Sequence, residues 1–276
     1  MKGRRLALGL ATLLGIRRQG FFIPYRYADQ LPAPGRLPPY AAMAARLARC
    51  SPAMTQVLDW INGYAADLAA IGGQPPPAPR WDQDWFPRLD GAAAYALARQ
   101  APPRRIVEVG SGHSTRFLAR ALADAGAQAE QVCIDPAPRA ALKDLAVQWR
   151  RELLSPAHLP AFEALEAGDM AVFDSSHLLM PGTDVDLILS EILPRLAPGV
   201  RVHVHDVFLP DPYPADWEWR GYSEQNGLAP WLLSGAFRPI HASRYALTRM
   251  GAAERPGLRD LPWDGAPESS LWMVRA

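Results

Sequence analysis

A glycine turn that follows a short apolar run is the first candidate site in the sequence. The mostly β-branched run 105–109 leads into Gly110, Ser111 and Gly112, which predicts a buried parallel strand and a tight turn. Apolar residues at helical spacing follow, with Ser114 placed to cap the helix. Helix amides point back at such a turn, so we take these four residues as candidate cofactor-binding residues. An ordinary strand-to-helix turn would show the same glycines.

Three neighbouring residues bear on which cofactor the turn would bind. A dinucleotide site needs glycine or alanine where Thr115 stands, because helix and strand pack tightly against a pyrophosphate. Glu108 adds negative charge before the turn, which would repel a pyrophosphate but tolerate the ammonium and sulfonium of S-adenosylmethionine. Asp135 ends the next apolar run, roughly where an acid binds ribose hydroxyls. The residues favour S-adenosylmethionine over a dinucleotide.

Acidic and imidazole side chains follow two later apolar runs. Asp174 and His177 come directly after one run, and His205 and Asp206 end the next. Neighbouring parallel strands would bring all four side chains together at their carboxyl ends. The set could bind a divalent metal through Asp174, His205 and Asp206, or His177 could deprotonate a substrate hydroxyl.

Plainer interpretations exist for the same region. Asp174 and Asp206 could cap loops, and His203 could be a hydrogen-bonded residue of the core. Four aromatic residues further on could form a lid over an acceptor or belong to the core. They are Trp217, Trp219, Tyr222 and Trp231.

Strand and helix patterns alternate from residue 105 onward, which predicts an α/β protein with a parallel sheet. The predicted strands cover 105–109, 131–135, 149–154, 170–174, 200–205, 237–242 and 270–275. The predicted helices cover 40–70, an alanine-rich stretch before Pro102, 114–126, 138–147, 159–166, 184–192 and 224–235. We expect a Rossmann-like, doubly wound, mostly parallel seven-stranded sheet, with an antiparallel last strand and an N-terminal helical extension.

Composition limits the classes of protein that are compatible with the sequence. A net charge of +1 over 276 residues gives no electrostatic case for nucleic acid. Cys50 and Cys133 are neither spaced as a metal pair nor numerous enough for a disulfide framework, which fits a reducing, cytoplasmic compartment. The apolar run that ends at Arg17 is too short to span a bilayer, so we expect no transmembrane segment.

The N-terminal region has its own character. The basic and apolar residues 1–18 predict an amphipathic helix that packs on the body or a partner, with a membrane-surface helix as the alternative. An extended aromatic and proline-containing arm follows, through which the chain could form a homo-oligomer. The proline-rich stretch 72–80 predicts a linker between an extension at 1–71 and a domain at 81–276.

Residues 104–276 resemble the class I S-adenosylmethionine-dependent methyltransferases. The matching stretches are Val107-Glu-Val-Gly-Ser-Gly-His-Ser-Thr, Cys133-Ile-Asp-Pro, Gly168-Asp, Phe173-Asp-Ser-Ser-His and Val202-His-Val-His-Asp. The resemblance implies that the methionine part of the cofactor contacts Glu108, Gly110 and Gly112. It also implies that Asp135 binds the ribose and that Asp169 with Met170 binds the adenine.

Within that class the sequence is similar to the small-molecule subgroup with an acid-x-x-His after strand four, as in macrolide-sugar O-methyltransferases. The resemblance implies a metal held by Asp174 and the pair His205 and Asp206, with His177 as the base. Because one acid of that pair is an imidazole here, zinc, iron or manganese would suit the site better than magnesium.

The sequence therefore predicts transfer of a methyl group from S-adenosylmethionine to a hydroxyl of a small-molecule acceptor. Two alternatives stay open. One is a nicotinamide-dependent oxidoreductase on a similar fold, and the other is a non-catalytic cofactor-binding assembly protein.

Overall fold

The computed structural model describes residues 2–33 and 35–276, and the chain divides into two compact units, Met1–Leu37 and Pro38–Ala276. The first unit contains helix α1 (Lys2–Leu13) and a 3₁₀ turn at Ala28–Gln30. The predicted N-terminal helix is therefore confirmed, and what it packs on stays a prediction. None of the helices that the structure describes is long and apolar enough to cross a lipid bilayer.

The second unit is built on a seven-stranded sheet. Its strands are β1 (Arg105–Val109), β2 (Glu130–Ile134), β3 (Gln148–Arg150), β4 (Met170–Phe173), β5 (Arg201–Val204), β6 (Phe237–Ala242) and β7 (Leu271–Arg275). Their order across the sheet is β3-β2-β1-β4-β5-β7-β6. Strands β1 to β5 pair in parallel, and β7 runs antiparallel to both of its neighbours. This is the Rossmann-like, doubly wound fold, which confirms the predicted fold class.

Helices cover both faces of the sheet. They are α2 (Ala41–Gly63), α3 (Ala65–Ala69), α4 (Arg88–Gln100), α5 (His113–Asp124), α6 (Leu159–Glu163), α7 (Asp184–Leu187), α8 (Leu193–Arg195), α9 (Glu224–Leu233), α10 (Ser243–Arg249) and α11 (Pro256–Arg259). Side chains alternate along β1, so Val107 packs under α6 to α9 while Ile106 packs under α4 and α5. The two apolar layers that result hold the sheet rigid beneath its carboxyl edge.

Helix α2 belongs to the same packed unit as the sheet. Its first half contributes Met43 and Leu47 to one core, and its second half contributes Leu58 and Ile61 to the other. The predicted domain boundary at 72–80 is therefore wrong, since the division of the chain falls after Leu37. A proline-rich stretch marks a loop, but the apolar faces on either side of it can still pack together.

The predicted helix at 138–147 does not form, and turns and bends occupy that segment. Leu142 is its only buried residue, so a helix there would have had no apolar stripe to bury. The predicted third strand is reduced to the exposed edge strand β3. The helix predicted at 184–192 continues through a π-helical turn at Ile188–Ile192 into α8.

Candidate active site

A cavity of about 610 Å³ lies at the carboxyl ends of β1, β4 and β5, a volume within the usual range of small-molecule sites. The chain order reverses between β1 and β4, which is where open α/β sheets bind ligands. Asp174 N donates to Val109 O at 2.9 Å, and His205 N donates to Phe173 O at 2.9 Å. The predicted side-by-side placement of the fourth and fifth strands is confirmed.

The glycine turn lies against the segment that follows β4. Gly110 has φ +75°, and a Cβ on it would lie 1.7 Å from the carbonyl oxygen of Asp174. Only glycine fits here, because both the φ angle and the close approach exclude a side chain. The turn thus brings the candidate cofactor-binding residues next to the candidate catalytic ones. The predicted cofactor residues that line the cavity are Gly110, Ser111, Ser114 and Asp135.

The carboxylate of Asp135 joins two turns. Its Oδ2 accepts a hydrogen bond from Ser111 N at 2.7 Å, and its Oδ1 accepts one from Ala137 N at 2.7 Å. A carboxylate oxygen can accept more than one hydrogen bond, so Asp135 keeps acceptor capacity for hydroxyls. Its position at the cavity wall after β2 fits the predicted contact with a ribose.

Glu108 lies beneath the turn rather than in the cavity. It is fully buried and accepts hydrogen bonds from Gln131 Nε2 at 2.8 Å, Ser114 Oγ at 3.2 Å and Cys133 Sγ at 3.3 Å. Burial raises the pKa of its carboxyl despite these hydrogen bonds. Period-2 alternation turns this side chain toward α4 and α5, so Glu108 does not line the cavity, and its contact with a cationic methionine group stays a prediction.

Gly112, the last residue of the glycine turn, is the N-cap of helix α5 and does not line the cavity. Its backbone N donates to Thr115 Oγ1 at 3.0 Å. The helix begins at His113, so the N-cap is Gly112 and not Ser114 as predicted. Thr115 stands where a dinucleotide site would need glycine or alanine, and its hydroxyl here stabilises the start of α5 by accepting the Gly112 N–H.

Asp169 and Met170 lie at the opposite edge of the sheet. Asp169 precedes β4 and accepts hydrogen bonds from the backbone nitrogens of Arg104 (3.1 Å), Arg105 (3.0 Å) and Glu166 (2.9 Å). Met170 is fully buried in the core. Residues that begin a parallel strand lie far from the edge where it ends, so this pair does not line the cavity, and its contact with adenine stays a prediction.

The structure brings together the four residues predicted after β4 and β5. His177 Nε2 lies 3.3 Å from Asp174 Oδ1 and 3.4 Å from Asp206 Oδ2. His205 Nδ1 lies 3.5 Å from the Oδ1 atoms of both aspartates. We call these four residues the acid–imidazole cluster, and all of them line the cavity.

Two further carboxylates complete the surroundings of the imidazoles. Glu224, at the start of α9, contacts His177 Nδ1 at 2.8 Å. Asp90, in α4, contacts His205 Nε2 at 3.2 Å and accepts the backbone N–H of Ser269. Sequence reasoning missed both residues, because they come from distant helices. The only signal was an acid within an otherwise apolar, alanine-rich helix.

The carboxylates raise the pKa of both imidazoles. Burial alone would lower the pKa of His177, but its hydrogen bonds to Asp174 and Glu224 raise it well above its ordinary value. Burial of His205 is likewise outweighed by the charges of Asp174 and Asp206, so its pKa is also raised. Burial would raise the pKa of Asp174, but the charge of His205 and the hydrogen bond with His177 hold it well below its usual range. The imidazoles and Asp174 thus stabilise the charged forms of one another.

This arrangement does not fit the predicted metal site. Both ring nitrogens of His177 and of His205 face carboxylate oxygens. Each ring nitrogen therefore already has a carboxylate partner in this arrangement. Among the described residues, no group of three or more His, Cys, Asp or Glu side chains is arranged to hold a metal ion.

Two members of the cluster have strained backbones. His177 has φ +58° and Asp206 has φ +55°, in the left-handed region that non-glycine residues rarely adopt. His177 O accepts the backbone N–H groups of Ser223 at 2.9 Å and Glu224 at 3.2 Å, which holds the segment in place. Strain of this kind is concentrated at functional sites.

Aromatic residues after β5 form part of the cavity wall. Trp217 and Tyr222 line the cavity, and the Tyr222 ring centroid lies 4.7 Å from that of His177. Trp219 is 48% exposed, and Trp231 packs against Phe237 of β6. Two of the four aromatic residues therefore line the cavity, whereas Trp231 packs against the core, and a lid over an acceptor stays a prediction.

The wall beside the glycine turn carries residues that sequence reasoning did not single out. Arg139 lies with its guanidinium 4.0 Å from the ring centroid of Trp85. Burial, together with the charges of Arg116 and Arg80, lowers the pKa of His113 to about 4. This part of the cavity is thus lined by a neutral imidazole and an arginine.

Residues 107–207 match the family model described as a methyltransferase domain. No curated protein matches the chain. Among solved structures, the SAH-bound methyltransferase PaMTH1 of Podospora anserina is 17% identical, with a TM-score of 0.40, over 93% of this chain and 99% of that one.

The branched-chain polyamine synthase of Thermus thermophilus, solved with N4-aminopropylspermidine and 5'-methylthioadenosine, is 16% identical, with a TM-score of 0.40. That match covers 78% of this chain and 63% of that one. The stretch from β1 to the end of the acid–imidazole cluster is thus similar in sequence to methyltransferase domains.

Proposed function

We propose that this protein transfers a methyl group from S-adenosylmethionine to a hydroxyl of a small-molecule acceptor. The observation that carries the proposal is one cavity that joins the glycine turn to the acid–imidazole cluster. The match to a methyltransferase domain spans both parts, since it runs from residue 107 to residue 207. Thr115, which caps α5 through Gly112 N, continues to disfavour a nicotinamide cofactor.

We assign one side of the cavity to the methyl donor and the other side to the acceptor. Gly110, Ser111 and Asp135 would hold the donor, which supplies an electrophilic methyl carbon when bound. The acid–imidazole cluster and the aromatic wall would hold the acceptor on the other side. Most of the rate would come from proximity and orientation of the two molecules in one site.

His177 is the residue we assign to accept the hydroxyl proton. Glu224 holds its Nδ1 at 2.8 Å, so the ring orientation is determined and Nε2 faces Asp174 and Asp206. A buried carboxylate that orients an imidazole in this way is a common support for a general base. The raised pKa makes His177 more basic but reduces its neutral fraction, so proton removal is favoured at alkaline pH.

Calorimetry tests the donor assignment. S-adenosylhomocysteine should bind with one site per chain, and NAD should not bind. Absence of S-adenosylhomocysteine binding, or tighter binding of NAD, would contradict the proposal.

His177→Ala tests the base. The variant should keep the affinity for S-adenosylhomocysteine and lose methyl transfer to a panel of hydroxyl acceptors. His158→Ala is the matched control, because His158 is buried but lies outside the cavity. Loss of S-adenosylhomocysteine binding in His177→Ala would instead place this residue in the donor site.

A further inference from the structure

Arg220 lines the cavity on the side proposed to hold the acceptor. It ends the short turn Ala215–Arg220 between β5 and α9. Its guanidinium lies 4.2 Å from the ring centroid of Trp217 and 5.4 Å from that of Tyr222. Nη1 donates to Tyr222 Oη at 3.0 Å. The aromatic rings therefore fix the plane of the guanidinium.

Most N–H groups of this guanidinium have no partner among the residues that the structure describes. Nε is buried and makes no hydrogen bond, and the contact of Nη1 with Tyr222 is the only hydrogen bond of the group. The described carboxylates form no ion pair with Arg220, whereas Arg244 and Arg249 nearby in the chain both pair with Asp211. A buried donor without an acceptor costs free energy, so the unpaired Nε of Arg220 calls for an explanation.

Tyr222 connects the guanidinium of Arg220 to the acid–imidazole cluster. Tyr222 contacts Arg220 through its hydroxyl and His177 through its ring, at a centroid distance of 4.7 Å. The other cavity arginine, Arg139, is held on the glycine-turn side by Trp85. A ligand group at Arg220 would therefore belong to the acceptor and not to the donor.

We propose that the acceptor is a small hydroxy acid whose carboxylate binds the guanidinium of Arg220. A guanidinium can donate two parallel N–H bonds to the two oxygens of a carboxylate. The hydroxyl of the same molecule then lies on the His177 side of Tyr222. This inference rests on the proposed function for the identity of the second substrate.

Binding of matched acids and amides tests the inference. The protein is saturated with S-adenosylhomocysteine and titrated with benzoate, benzamide, 4-hydroxybenzoate and 4-hydroxybenzamide, with Trp fluorescence as the readout. Each acid should bind at least about tenfold more tightly than its amide, as expected for a charge-assisted, two-point hydrogen bond. Equal binding of acid and amide, or no saturable binding of either acid, overturns the proposal.

Variants separate recognition from a structural role of Arg220. Arg220→Gln should remove the preference for the acid and leave S-adenosylhomocysteine affinity unchanged, and Arg220→Lys should restore only part of it because lysine lacks the planar fork. Arg238→Gln, on an exposed residue of β6, is the control. Retention of the full preference in Arg220→Gln overturns the proposal.

Two further outcomes are informative. Tighter binding of inorganic phosphate than of benzoate would overturn the choice of a carboxylate. Acid binding that depends on Arg220 in a protein that does not bind S-adenosylhomocysteine would refute the proposed function while the arginine site stands.

Discussion

Replacement of Gly110 by alanine would force the segment after β4 away from the glycine turn. The new Cβ would lie 1.7 Å from the Asp174 carbonyl oxygen, whereas ordinary van der Waals contact begins at 3.4 Å. The carbonyl must therefore retreat by roughly 1.7 Å, which is the difference between these two distances. The φ angle of +75° adds strain that glycine does not have.

Stability and activity should both fall. Backbone strain and overpacking each cost about 1–3 kcal/mol, so Gly110→Ala should destabilise the protein by about 2–6 kcal/mol. Asp174 contacts His177 and His205, so its displacement disturbs the whole cluster. A misplacement of about 1 Å at a reacting centre can lower turnover by about 100-fold. Affinity for S-adenosylhomocysteine should also fall, because Gly110 lines the cavity.

Gly126→Ala is the matched control. Gly126 has φ +64°, close to that of Gly110, and an added Cβ there meets no atom within 4 Å. Gly126→Ala should be destabilised by the backbone strain alone, about 1–3 kcal/mol, and should keep full affinity for S-adenosylhomocysteine. Urea unfolding and calorimetry of both variants separate the two effects. Equal destabilisation and equal affinity in the two variants would show that the close approach to Asp174 is not a determinant of the site.

Two other predictions concern residues outside the proposed chemistry. Burial, followed by the charge of His205, lowers the pKa of His203 to about 3. Unfolded chains protonate histidine near pH 6.5, so the free energy of unfolding should fall as the pH drops from 6.5 toward 3, by up to about 1.4 kcal/mol per pH unit. In His203→Gln, the free energy of unfolding measured with urea should depend less steeply on pH by that amount. Parallel pH dependences in the two proteins would contradict the prediction. Asp169→Ala should destabilise the protein by about 2 kcal/mol, since it removes a buried carboxylate that accepts several partly buried backbone N–H groups. Calorimetry should nevertheless show unchanged S-adenosylhomocysteine affinity, and a loss of affinity would place Asp169 in the donor site.

Local patterns were sufficient to predict the sheet and the residues at its carboxyl edge. Asp174 and His205 follow strands that neighbour each other, so their meeting follows from the rule that parallel strands end at one edge. The same rule would have excluded Asp169, which precedes its strand. Strand alternation would likewise have turned Glu108 away from the turn.

Contacts between distant helices and the sheet could not be predicted in this way. Asp90 and Glu224 reach the imidazoles from α4 and α9, and no spacing in the sequence relates them to β4 or β5. The packing of α2 on both cores was missed because a proline-rich loop after it looks like a domain linker. Such pairings depend on how apolar faces assemble in three dimensions.

The bridge made by Asp135 bears on how quickly the protein can take up a donor. Its carboxylate accepts the backbone N–H groups of Ser111 and Ala137, so the protein itself holds both turns in one conformation. Uptake of the donor then orders little backbone, and the entropy lost on association is correspondingly small. The association rate should be governed by diffusion into the cavity rather than by loop folding, and differences in affinity among donor analogues should appear in their dissociation rates.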